Sequence, residues 1–162
     1  MFNWLEFTAF IWKAKGRHGT HSPFAYFLVD IVRQIDIQAT QNKNTSKKWQ
    51  QINRFARQLA TALPEFECIE VKNSFRLVAA DKKQIIVIAQ LTDPSFYEQI
   101  ASLEIHPESI LLLPAVFVRK QKQHWQALYQ QENWHFSADA WYFGVLSPRP
   151  QQAKQHFLLK LT

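Results

Sequence analysis

The chain has 162 residues, with 19 Lys plus Arg against 13 Asp plus Glu, and 47% of its residues are hydrophobic. This length suits one domain with a proper core, and the composition excludes a disordered chain. Three scattered glycines exclude a Walker loop or a dinucleotide-binding turn, and one cysteine excludes an internal disulfide. The longest apolar run, 110–118, is far shorter than the roughly 20 residues that span a bilayer. We therefore expect a soluble cytoplasmic protein.

The positive charge is concentrated in the first third of the chain. Residues 1–60 hold nine basic and three acidic side chains, whereas residues 61–162 hold ten of each. Such an asymmetry is typical of a basic surface that meets an anionic partner. Lysine-rich helical surfaces are the simpler explanation, because net charge by itself bears only on solubility and non-specific binding.

The N-terminal part of the chain predicts a helical arm over residues 1–37. Apolar residues at spacings of three and four predict a first, strongly aromatic helix over 2–14. After a turn that contains Gly16 and Gly19, Ser22 is the N-cap and Pro23 the first residue of a second helix, which runs to about residue 35.

A third helix is predicted over 47–63, after a polar linker, and it opens an α/β domain over residues 46–162. Beyond it, the apolar runs at 85–89 and 109–113 are typical of strands buried on both faces. Other strands are predicted at 67–71, 75–80, 134–137, 141–146 and 156–161, and helices at 93–103 and 120–131. Alternating strands and helices followed by a run of strands predict a sheet of about five to seven strands with an antiparallel edge.

Two segments carry a resemblance to a known family. They are KAKGRHGTHSPFAYFLVD (Lys13–Asp30) and the stretch from Ser109 to Leu161, which closes on AKQHFLLKL. Both resemble a family of class I methyltransferases found in Bacteroidetes, in which a helix, a basic turn and an H-G-x-H-S-P-F segment precede the catalytic domain. The resemblance implies an incomplete Rossmann-like methyltransferase sheet with an N-terminal helical arm, and S-adenosylmethionine as the family's cofactor.

The chain departs from that family where the chemistry should be. Glu70 matches the acidic residue at the end of the family's first strand, but the glycines that cradle the cofactor are absent after it. Ala89-Gln90 and Pro114-Ala115 stand where the family has acidic residues, and neutral side chains supply neither Mg²⁺ ligands nor a general base. The segment from 66 to 146 is also too short for a seven-stranded sheet. The resemblance therefore implies the fold and argues against the activity, with Glu70 as a vestigial cofactor-binding residue and no catalytic residue.

Other candidate sites are few. Lys15, Arg17, His18 and His21 form a basic turn that suits a ligand or partner surface. The two histidines are three residues apart but have no third metal ligand nearby, so we expect no metal site. Cys68 is predicted to be an inert core thiol, because it lies in an apolar strand.

These observations predict a catalytically inactive methyltransferase-like protein that acts as a binding or interaction module. Its expected partner is a protein, either a second copy or an intact homologue, and no cofactor is expected. Two alternatives stay open. One is an S-adenosylmethionine-dependent methyltransferase with a reorganised cofactor site, and the other is nucleic-acid binding through the basic N-terminal third.

Overall fold

The computed structural model describes residues 22–33, 47–72, 74–89, 93–114, 121–140 and 142–159. Within these ranges the fold is mixed α/β, as predicted, with four helices and six strands. The helices are α1 (Pro23–Arg33), α2 (Lys47–Ala62), α3 (Ser95–Ala101) and α4 (Lys122–Tyr129). The strands are β1 (Glu67–Val71), β2 (Gln84–Ile88), β3 (Ile110–Pro114), β4 (Phe136–Asp139), β5 (Phe143–Ser147) and β6 (Gln155–Leu158). The predicted aromatic helix 2–14 and the turn after it lie outside the described residues.

The six strands form one mixed sheet in the order β1-β2-β3-β5-β4-β6. β1 pairs parallel with β2, and β2 with β3, whereas β5 is antiparallel to both of its neighbours, β3 and β4. The last strand, β6, pairs parallel with β4. Five strands therefore run in one direction. The antiparallel strand was expected at the edge, and this is wrong, since β4 and β6 both lie outside β5.

The start of α1 confirms the capping pattern read from the sequence. The Ala25 amide donates to the Ser22 Oγ at 3.4 Å, and the Tyr26 amide donates to the Ser22 carbonyl at 3.0 Å. The Ser22 side chain thus satisfies the Ala25 amide, which has no partner within the first helical turn, and Pro23 has no N–H that needs an acceptor.

The sheet separates two apolar clusters. On one face, α1 and α2 cover the alternate residues of the central strands, and Phe24 meets Phe136 edge to face with ring centroids 4.7 Å apart. On the other face, α3 and α4 cover the remaining residues, with Trp125 and Trp134 among the largest buried side chains. Every residue of β2 is buried, which is why it reads as an apolar run without alternation. None of the helices in the described ranges is long and apolar enough to cross a membrane.

The predicted strand at 75–80 does not form. This segment combines turns with irregular chain, and two of its main-chain groups bond to a side chain instead of to a neighbouring strand. The buried amide of Gln84 accepts from the Ala79 amide at 2.9 Å and donates to the Leu77 carbonyl at 3.1 Å. A tertiary contact therefore overrides the β propensity of the sequence here.

Candidate functional site

The carboxyl ends of five co-directional strands lie along one edge of the sheet. In open α/β sheets this edge is where ligands bind. The described residues at the ends of β1, β2 and β3 are Lys72, Ala89 and Pro114. Gln90 and Ala115, which complete the two predicted neutral pairs, lie outside the described residues. The described ends of these three strands therefore present basic and apolar groups.

Glu70, the predicted vestigial cofactor residue, lies in β1, one residue before its end. Its carboxylate is 3.6 Å from the Lys72 ammonium, and the two side chains are 45% and 73% exposed. An ion pair this exposed contributes less than about 1 kcal/mol to stability. The partner of this carboxylate is a cation that directly follows the same strand.

Asp139 is the carboxylate at the end of β4, and sequence reasoning did not select it. Its side chain is buried, with the residue 6% exposed. The Trp125 indole donates from Nε1 to Oδ1 at 2.5 Å, and the His156 Nε2 lies 3.5 Å from Oδ2. Helix α4 and strand β6 thus hold the carboxylate from two sides.

His156 extends this polar cluster to a serine. Its Nδ1 lies 2.8 Å from the Ser137 Oγ, which is also 3.4 Å from the Gln155 carbonyl. The Tyr129 ring stacks on the imidazole with centroids 4.1 Å apart. Burial raises the pKa of the Tyr129 hydroxyl, and the Asp139 charge raises it further.

Ser137, His156 and Asp139 are the residue types of a nucleophilic triad, but their geometry favours a structural role. Ser137 is only 2% exposed, so its hydroxyl cannot reach a substrate. Both imidazole nitrogens already face partners within the cluster, and neither is left to act on a bound molecule. The cluster instead joins β4, β6 and α4 through fully partnered polar groups.

No spacing in the sequence could have revealed this cluster. Ser137 and Asp139 are two residues apart on β4, which places both side chains on the same face of the sheet. His156 joins them because β6 pairs parallel with β4 and places Ser137 opposite His156. That register depends on a strand order that the sequence leaves open.

Cys68 is exposed, so its predicted place in the core is wrong. β1 is an edge strand, and its residues Glu67, Cys68 and Glu70 are all exposed. Partial burial raises the pKa of the thiol, and the Glu70 charge raises it further. A thiol with a raised pKa is a weak nucleophile at neutral pH, and the inertness of Cys68 stays a prediction.

The predicted basic surface of Lys15, Arg17, His18 and His21 lies outside the described residues. Within the ranges that the structure describes, no group of three His, Cys, Asp or Glu side chains is placed to hold a metal ion. Comparisons with protein-family models, with curated proteins and with solved structures gave no match. The candidate sites therefore depend on the geometry alone.

Proposed function

We propose that this chain is a methyltransferase-like protein without methyl transfer activity, and that it acts by binding another protein. The observation that carries the proposal is the state of Asp139. It is a buried carboxylate at the carboxyl ends of the co-directional strands, and Trp125 and His156 already contact its oxygens. A carboxylate held in this way is a poor general base and a poor metal ligand.

The surface that favours a protein partner is the free side of β1. The Glu67 amide donates to the Lys83 carbonyl, and the Ala89 amide donates to the Val71 carbonyl. In a parallel pair the residues that face the neighbour alternate. Residues 67, 69 and 71 therefore face β2, while the amides and carbonyls of Cys68 and Glu70 face away from the sheet.

A row of outward-facing amides and carbonyls is a template for another strand. No described strand lies on that side of β1. The first partner to test is a second copy of the chain, because two identical edge strands can pair antiparallel about a twofold axis.

The absence of cofactor binding is tested by thermal unfolding. S-adenosylmethionine at millimolar concentration, with and without Mg²⁺, should leave the melting temperature unchanged. A ligand at 100 times its dissociation constant would stabilise the fold by about 2.7 kcal/mol, which for this chain length is roughly 5–11 °C. A reproducible shift of that size would favour the methyltransferase alternative.

The partner surface is tested with two variants of one residue. Glu70→Pro removes an outward-facing amide and leaves the bonds to β2 in place, whereas Glu70→Ala keeps the amide and removes the same charge. Sedimentation equilibrium should detect dimers for the natural chain and for Glu70→Ala, but not for Glu70→Pro. A natural chain that stays monomeric at 100 µM, a concentration typical of weak association (Kd on the order of 10⁻⁴ M), would contradict pairing through β1.

A further inference from the structure

The segment 75–79 is encoded as a strand but is held away from the sheet. Its sequence, FRLVA, is rich in residues that favour strands, and it follows β1 after a connection of only three residues. In the structure its Leu77 side chain is 64% exposed, the largest exposure among the described large apolar residues. Phe75 packs on Phe96 of α3 with ring centroids 5.4 Å apart.

One side chain holds the main chain of this segment. Gln84 is 1% exposed, and its amide contacts the Ala79 amide, the Leu77 carbonyl and the Glu67 carboxylate at 2.9, 3.1 and 3.3 Å. The contacts with Ala79 and Leu77 would be released if 75–79 paired with β1, whereas the contact with Glu67 lies outside the segment. Gln84 is thus a clamp on the bent form of the segment.

The free side of β1 matches this segment closely. If the chain turns back over residues 72–74, Glu70 lies opposite Arg76, and Ile69 lies opposite Leu77. The same register places Val71 opposite Phe75 and Cys68 opposite Val78. Opposite charges and apolar pairs at directly opposed positions stabilise an antiparallel pair, and the outward-facing groups of Cys68 and Glu70 gain hydrogen-bond partners.

We propose that residues 75–79 exchange between the bent form, which Gln84 clamps, and a hairpin in which they form a seventh strand on the free side of β1. The proposal goes beyond the protein-binding function and does not depend on it. In the bent form no strand of the described residues covers the β1 edge, and another chain can pair with it. In the hairpin form the chain's own segment covers that edge, so the exchange controls whether the edge is available.

The two forms place Val78 on different faces of the sheet. In the bent form Val78 packs against the cluster under α3 and α4, whereas Cys68 is in register with Ile85, which belongs to the cluster on the opposite face. In the hairpin Val78 and Cys68 lie opposite each other with Cα atoms about 5.5 Å apart, within the range that a disulfide accepts. A disulfide between these positions therefore reports the hairpin.

The experiment uses Cys68, the single cysteine of the chain, as one partner. The variant Val78→Cys is oxidised with diamide and compared with Ala79→Cys, whose thiol would lie opposite Glu67 in the hairpin, on the other face from Cys68. Loss of free thiols and the mass of the products are followed over time. We expect an intrachain disulfide in Val78→Cys that forms at least about tenfold faster than in Ala79→Cys.

Adding Gln84→Leu to each variant should accelerate the crosslink in Val78→Cys and leave Ala79→Cys slow, because the clamp is lost. Equal rates for Val78→Cys and Ala79→Cys would overturn the proposal. A disulfide that forms only between chains would overturn it as well, since the segment would then pair with the edge of another copy. If Gln84→Leu does not fold, the comparison of the two single variants still decides the matter.

Discussion

Replacing Trp125 with Phe is the most direct test of how the polar cluster stabilises the fold. Trp125 is 2% exposed, and its indole donates to the Asp139 carboxylate at 2.5 Å. A hydrogen bond to a charged group contributes about 1.5–3 kcal/mol, and the smaller ring loses packing worth roughly 1 kcal/mol. We expect Trp125→Phe to lower the free energy of unfolding by about 2.5–4 kcal/mol, which lowers the melting temperature by roughly 5–16 °C for this chain length.

A double-mutant cycle separates the hydrogen bond from the packing loss. Trp125→Phe, Asp139→Ala and the double variant are unfolded in urea, and the coupling energy is taken from the four free energies. We expect about 1.5–3 kcal/mol of coupling. Tyr129→Phe is the control on the same helix, and it should change stability by less than about 0.5 kcal/mol. A coupling energy below about 0.5 kcal/mol, or equal effects of Trp125→Phe and Tyr129→Phe, would refute the reasoning.

Two further predictions concern the end of the sheet at which β2 and β3 begin. Arg149 has φ 39°, the one positive value among the described non-glycine residues, and its guanidinium lies 3.4 Å from the centre of the Phe24 ring. Arg149→Gly should therefore be more stable than Arg149→Ala by about 1 kcal/mol in urea unfolding, since both lose the cation–π contact and only glycine relieves the backbone; equal stabilities would show that the turn is unstrained. Lys83 donates a hydrogen bond to Glu108 and thereby lowers the pKa of that carboxyl below its ordinary value of 4.5. A folded-state pKa below the unfolded one stabilises the fold above pH 4.5, and this contribution is lost as the pH falls through the folded-state pKa. Because both side chains are 38% exposed, Glu108→Gln should cost less than about 1 kcal/mol at pH 7, and a cost that persists well below pH 4 would contradict the assignment.

The sequence predicted those elements whose local pattern and tertiary environment agree. The Ser22-Pro23 cap located α1, and the two apolar runs located β2 and β3, since strands buried on both faces lose their alternation. The position of β5 inside the sheet could not be predicted in this way, because pairing between β3 and β5 depends on side chains that are distant in the chain. The order of the strands also decides which residues of β1 are exposed.

The prediction at 75–80 failed for a different reason. Its residues favour a strand, and no local signal indicates that the Gln84 side chain, five and seven residues further along, will bond to the Ala79 amide and the Leu77 carbonyl. The prediction that Cys68 lies in the core failed for the same reason. Its apolar neighbour Ile69 is buried because it faces α3 and α4, and Cys68 lies on the opposite face of an edge strand. In both cases the deciding contact is tertiary, and local propensity is only a weak guide to it.

The contacts of Phe24 with residues late in the chain also affect when the protein can finish folding during synthesis. Its ring contacts Phe136 of β4 and the guanidinium of Arg149, both of which are made long after α1. At roughly 5–20 residues per second, a ribosome needs on the order of ten seconds to reach them. Throughout that interval α1 lacks these two contacts, and contacts so distant in sequence also slow the folding of the completed chain. A helix that is made early and completes its contacts late thus benefits from protection against aggregation, such as a chaperone gives to a nascent chain.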